Sequence, residues 1–309
     1  MASSADIKKR IKSVANTRQI TKAMEVVSAT KMRRAQELAL RARPYAMAAF
    51  ELLAAVSSKI SEKEKLPAML IGNQSTKTLV VIIASDKGLA GSLNANVMRK
   101  AVSAVGGNSV DIATVGKKGK EYFGYRGYNI VKEFTGHSDY VDSTELNQLH
   151  DFISEAFLAG TYGKVVVVYT NFLSTLRQEP VIREILPISE QGLREMADGL
   201  APTTGKYSAA PEGRALLSEA EREKEPYLYE PSREKVLAEL VDRLFRMTLY
   251  HIQTESNASE HSARMVAMKT ASENAEEIVD DLTLLYNNRR QAKITQEIVE
   301  ITSGSDAVQ

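Results

Sequence analysis

Residues Arg233–Thr302 read REKVLAELVDRLFRMTLYHIQTESNASEHSARMVAMKTASENAEEIVDDLTLLYNNRRQAKITQEIVEIT, with no glycine and no proline. Pro231 precedes this run and Gly304 follows it. It is rich in Ala, Leu, Met, Glu, Lys, Arg and Gln, the residues that lose least on entering a helix. Nothing in it would stop a helix. A second such run lies at the other end of the chain, from about Asp6 to Ile60, with Pro44 its only breaker. All but one of the 17 glycines fall between Gly72 and Gly213, and Gly304 is the exception. The chain therefore divides into two breaker-free ends and a glycine-bearing middle.

Length gives the ends a role. At 1.5 Å per residue the second run spans roughly 105 Å and the first roughly 80 Å, against a radius of gyration of about 15 Å for a domain of about 150 residues. The helices are expected to project from a globule and to pack on each other or on partner chains. Apolar spacing supports pairing. Met24, Val27, Leu38, Ala42, Tyr45, Ala49, Leu52 and Val56 follow three–four steps, interrupted by Lys31 and Arg34. Leu237, Leu240, Leu244 and Met247 begin the matching stripe. Ala258, Ala263, Ala267, Ala271 and Ala275 continue it with small residues, before Ile278, Leu282 and Leu285. Small side chains let two helices approach closely, as in a two-stranded coiled coil.

The middle alternates. Strands are expected at Thr78–Ser85, Val110–Val115, Asn129–Phe134, Lys164–Phe172 and Gln178–Pro187. Helices are expected at Leu93–Val105, Lys117–Tyr125 and Glu145–Ala159. Strands separated by helices of this size predict a Rossmann-like α/β domain with a mostly parallel sheet. The expected organisation is an N-terminal long helix (1–66), the α/β domain (67–188), a linker or insertion (189–231) and a C-terminal long helix (232–309).

Composition excludes several chemistries. The 309 residues carry 40 Lys plus Arg and 39 Asp plus Glu, so no uniform basic surface exists. There is no Cys, which removes disulfides, thiolate catalysis and Cys-ligated metals. Four His (137, 150, 251 and 261) make a His-rich metal site improbable. No apolar run is long enough to span a bilayer. Met1–Lys12 lacks the pattern of a signal peptide. The expectation is an intracellular soluble chain that other proteins hold at any membrane where it works.

No nucleotide fingerprint appears. Gly116-Lys117-Lys118-Gly119-Lys120 lacks the spacing and hydroxyl of a P-loop, and Gly88 and Gly91 are one step out of G-x-G-x-x-G. The stretch Ser85–Ser92 can be read as a backbone anion nest. The preferred reading is a tight strand-to-helix turn with glycine at positive φ. Ser85, Asp86 and Lys87 lack an elbow or S-x-x-K context. His150 and Asp151 are expected on a helix surface, and His251 and His261 lack ligand-spaced partners. No catalytic, cofactor-binding or metal residue is assigned, and no cofactor is expected.

Residues 1–43 hold eleven basic side chains against three acidic, an excess of eight. Nucleic acid, an acidic protein surface or simple solvation could each meet that charge. Acidic Glu273, Glu276, Glu277, Asp280 and Asp281 could answer part of it from the second helix.

Several long stretches together resemble one family. They are IKSVANTRQITKAMEVVSATKMRRAQ (Ile11–Gln36), SDKGLAGSLN (Ser85–Asn94), YLYEPS (Tyr227–Ser232), ASEHSARMVAMKTASENAEE from Ala258, and YNNRRQAKITQEIVEITSG from Tyr286. In content and order they are similar to the gamma subunit of F-type ATP synthases, essentially end to end. Two departures are visible. Gly304 is followed by Ser305 where the family reads Gly-Ala. The segment after Ile188 is long, where photosynthetic relatives carry a redox insertion, but without Cys the role of 190–224 must be non-redox.

The resemblance implies a non-catalytic rotor of the central stalk. Its antiparallel coiled coil would enter the alpha/beta hexamer, and its α/β domain would sit at the foot against the epsilon subunit and the c-subunit ring. It implies contact with the beta subunit at Met24, Arg290, Gln291 and Thr295, and with the c ring at Tyr227, Tyr229 and Glu230. It implies no nucleic acid, membrane association through partners alone, and a peripheral place on the cytoplasmic face of a bacterial plasma membrane. The alternatives from other classes are an enzyme built on the α/β domain and a coiled-coil scaffold.

Overall fold

A computed structural model describes residues 4–57, 66–106, 109–136, 140–188 and 230–306. The chain forms two units: Met1–Ala29 with Arg264–Gln309, and Thr30–Ala263. The elements in order are α1 (Ser4–Ser57), α2 (Ala68–Ile71), β1 (Thr78–Ile83), α3 (Leu93–Val105), β2 (Val110–Val115), α4 (Lys117–Tyr125), β3 (Ile130–Phe134), α5 (Ser143–Leu158), β4 (Lys164–Ser174), β5 (Arg177–Leu186) and α6 (Arg233–Asp306). The two breaker-free runs are thus continuous helices of 54 and 74 residues. Pro44 lies inside α1 without ending it.

The larger unit holds a five-stranded sheet in the order β3-β2-β1-β4-β5. β1 runs parallel to β2 and β4, and β2 parallel to β3. β5 returns antiparallel on β4. The apolar, β-branched strands follow from burial on both faces. Strand alternation sends Leu79, Val81 and Ile83 to one core and Val80 and Ile82 to the other. The second core is closed by Val97, Met98 and Ala101 of α3 and Phe123 of α4. The first is closed by Leu149, Ile153 and Phe157 of α5, and by Leu237, Leu244, Phe245 and Ile252 of α6. Burying each such side chain contributes about 1.5–3 kcal/mol.

The stripe that starts at Leu237 is therefore a core stripe of the α/β unit. The sequence reading assigned it to helix pairing; the core it joins takes in Ala49 and Leu53 of α1 together with the sheet and α5. The N-terminal stripe is also less regular than its spacing suggests, because Val27 is exposed.

In the helical unit, Ile7, Met268 and Ala275 are buried. Arg18 Nη2 lies 2.7 Å from Glu276 Oε1, so acid on one helix does answer part of the basic excess on the other. Ser28 and Ser272 are buried as well. Of the stripe expected here Ala275 is buried, whereas Ile278 and Leu285, expected to continue it, are exposed.

Candidate functional site

In a sheet of this order, a ligand crevice is expected where the strand order reverses, at the C-terminal ends of β1 and β4. The turn after β1 starts at one edge of that place, and its hydrogen bonds run to α3 and α4. Asp86 Oδ1 accepts a hydrogen bond from the Lys117 amide at 2.8 Å. The carboxylate thus sits at the N-terminus of α4, where a bound anion would otherwise be favoured. Ser85 Oγ donates to the Lys87 carbonyl at 2.6 Å, and Asn94 Nδ2 donates to Ser85 Oγ at 2.7 Å. The Lys118 amide donates to the Ser85 carbonyl at 3.0 Å. The Ser85 hydroxyl is thus engaged within the turn.

The turn reading holds, with a detail. Gly91 takes φ 57°, and Leu89, two residues before it, takes a positive φ of 62° without being glycine. Leu89 is 62% exposed. Gly116, at φ 93°, closes the far side of the turn, where an added Cβ would overlap the Ala84 carbonyl oxygen. Among the described residues, no group of three or more His, Asp or Glu could hold a metal ion. An open groove of about 520 Å³ between β3 and α5 is lined by Glu133, Glu145, Asp151 and Glu155 with Lys132 and Phe152. Lys120 already pairs with Glu133, and His150 with Asp151.

His150 corrects the sequence reading. Expected on a surface, it is 3% exposed. Its Nδ1 lies 3.0 Å from Asp151 Oδ1 and its Nε2 3.1 Å from Asp242 Oδ1. Its ring packs on Phe245 at 5.2 Å between centroids. It ties α5 to α6. His251 and His261 are buried too. Helical spacing marks a face but not what covers it, which is why His150 was expected at a surface.

The residues assigned to partner contact fall in three places. Met24 is half-buried on α1. Arg290, Gln291 and Thr295 are exposed on α6, with Gln291 and Thr295 one turn apart on one face. Every residue from 290 to 301 is exposed, including Ile294, Ile298 and Ile301, at steps of four and three. Glu230 is exposed at the bend before α6. Tyr227 and Tyr229 lie outside the described residues, as does nearly all of the 189–231 segment.

The sequence model of the ATP synthase family, described as "ATP synthase", matches residues 3–308. An ATP synthase gamma chain of Opitutus terrae is 39% identical over 307 residues, covering 99% of both chains. One of an Anaeromyxobacter species is 38% identical and one of Nitrosomonas eutropha 35% identical, each covering the whole of both chains. The chain belongs to the ATP synthase gamma-chain family. As a gamma chain it is a non-catalytic subunit of the ATP synthase complex. The complex is membrane-associated, and among the described residues no helix is long and apolar enough to cross a membrane.

Solved structures support the fold of this gamma chain. A chain of the Euglena gracilis mitochondrial ATP synthase (OSCP/F1/c-ring) aligns with TM-score 0.63 and 17% identity, covering 99% of this chain and 94% of that one. A chain of the Tetrahymena thermophila mitochondrial ATP synthase central stalk and c ring aligns with TM-score 0.55 and 23% identity, covering 82% and 99%. The expected fold class stands: an antiparallel coiled coil of the terminal helices with a central Rossmann-like α/β domain.

Proposed function

We propose that this chain is the central-stalk rotor of its ATP synthase. It turns inside the alpha/beta hexamer and couples proton flow through the membrane sector to ATP synthesis or hydrolysis. The observation that carries the reading is the pair of terminal helices, of 54 and 74 residues, joined to an α/β unit. Such a chain is suited to transmit force and has no evident chemistry of its own.

The contacts follow from the same reading. Met24 faces an acidic loop of the beta subunit, within a stretch of high positive charge. Arg290, Gln291 and Thr295 hydrogen-bond to beta, for which the rigid guanidinium fork of Arg290 is well matched. Their exposure leaves them available for such contacts. Tyr227, Tyr229 and Glu230 meet polar loops of the c ring, and the α/β domain (67–188) meets the epsilon subunit. The helices of 1–66 and 232–309 form the shaft, and 189–231 links the domain to it. The chain is peripheral, on the cytoplasmic face of a bacterial plasma membrane, and held there by its partners.

The test is ATPase activity of matched alpha and beta subunits with and without this chain. A stable complex with raised turnover, and no turnover by the chain alone, is expected. No assembly and no stimulation, with alpha and beta known to be competent, would refute the reading.

A further inference from the structure

The part of α6 from His251 to Ser262 is buried and yet polar. Gln253, Thr254, Glu255, Ser256, Ser259, His261 and Ser262 are all covered, Ser259 and Ser262 completely. A helix packed on a sheet ordinarily buries an apolar stripe, as α6 itself does from Leu237 to Ile252. Polar groups taken out of water need partners, and the β4–β5 hairpin supplies them for Glu255, Ser259 and Ser262. Tyr169 OH donates to Glu255 Oε2 at 3.0 Å. Ser259 Oγ donates to the Thr170 carbonyl at 3.0 Å. Ser262 Oγ donates to the Thr175 carbonyl at 2.7 Å. Gln178 braces the hairpin turn, with Nε2 donating to the carbonyls of Ser174 at 3.0 Å and Thr175 at 2.8 Å, and reaching Ser262 Oγ at 3.4 Å.

Residues 255, 259 and 262 are four and three apart, so they form one line along the helix over about two turns. Apolar packing is non-directional and lets a helix turn about its axis by exchanging one side chain for another. Hydrogen bonds do not. A turn of one residue position is about 100°, which would break all three at once and leave buried groups unpaired. We propose that the line Glu255–Ser259–Ser262, gripped by the β4–β5 hairpin, is a torsional key. It fixes the rotational setting of α6 against the sheet, so that torque passes between the sheet and the helix instead of being lost as twist of α6. This rests on the rotor reading and adds to it the joint through which the α/β unit is loaded.

The experiment uses the assembled complex with its alpha/beta head immobilised and arrested. The chain has no cysteine, so Tyr125→Cys at an exposed site of the sheet unit accepts a single optical probe. The width of its thermal angular fluctuation reports torsional stiffness. Ser259→Ala/Ser262→Ala removes two of the three bonds on the line and is expected to lower stiffness about twofold, with assembly and ATPase stimulation retained. Tyr169→Phe keeps the ring, removes the remaining bond and is expected to broaden the fluctuation less. If the double variant does not assemble, Tyr169→Phe decides alone. Unchanged width in assembled complexes overturns the key, even where the melting midpoint falls, because a merely structural role would lower stability without softening the joint. Failure of the parent chain to assemble would instead count against the rotor reading.

Discussion

Tyr162→Phe tests the packing beneath the sheet with a single atom. Tyr162 precedes β4, Lys77 precedes β1 and Asp111 lies in β2, so the trio ties together three strand beginnings. Tyr162 OH donates to Asp111 Oδ2 at 2.8 Å, and Lys77 Nζ lies 2.6 Å from the same oxygen. Tyr162 and Asp111 are both buried. Burial would raise the Asp111 carboxyl, but hydrogen bonds from Lys77 and Tyr162, with the Lys77 charge, hold it below its usual value. Burial first, then the hydrogen bond to Asp111 and its charge, push the Tyr162 phenol up to about 12. At pH 7 the variant loses one hydrogen bond to a charged group, a cost of about 1.5–3 kcal/mol. The sign at high pH is set by a folded value above the unfolded 10.0. The contribution is full below pH 10 and is lost as pH rises through 10 towards about 12. By pH 11 it has fallen by about 1.4 kcal/mol in the parent chain and by nothing in the variant. The difference between the two proteins should therefore shrink at pH 11. Urea titrations at pH 7 and 11, followed by near-ultraviolet circular dichroism, measure it. An equal difference at both pH values would refute the Tyr162 argument, and a difference under about 0.5 kcal/mol at pH 7 would refute the tie itself.

Three further outcomes are expected. Gly116→Ala must hold an L side chain at positive φ and push it into the Ala84 carbonyl, so it should cost about 2 kcal/mol or more in urea unfolding; a near-neutral effect would contradict the turn geometry. Asp86→Ala removes the acceptor of the Lys117 amide and should cost about 1 kcal/mol, with Asp86→Asn recovering most of it; equal losses in both would place the role of Asp86 elsewhere. Gln291→Ala and Thr295→Ala change exposed side chains, so thermal unfolding of the chain alone should not move, while coupled turnover of the assembled complex falls; unchanged turnover removes both from the beta contact.

What could be read in advance was local. Absence of glycine and proline bounded both long helices to within a few residues, and α3, β2 and α4 appear at the residues expected, each next to a glycine or an adjoining element. Two things were hidden for one physical reason. Periodicity tells which residues share a face but not which surface that face meets. Leu237–Leu244 has the same spacing whether it meets a helix or a sheet, and the core it joins holds both, the strands and Ala49 and Leu53 of α1. His150 is made tolerable in burial by Asp151 beside it, by Asp242, 92 positions away, and by the Phe245 ring. The polar stretch from His251 to Ser262 is likewise covered, with the β4–β5 hairpin supplying the carbonyls and the phenol that its polar groups need. An apolar stripe there would be at least as easy to bury. The retention of directional bonds at a buried contact trades packing freedom for one fixed rotational setting, which is what a helix loaded in torsion requires.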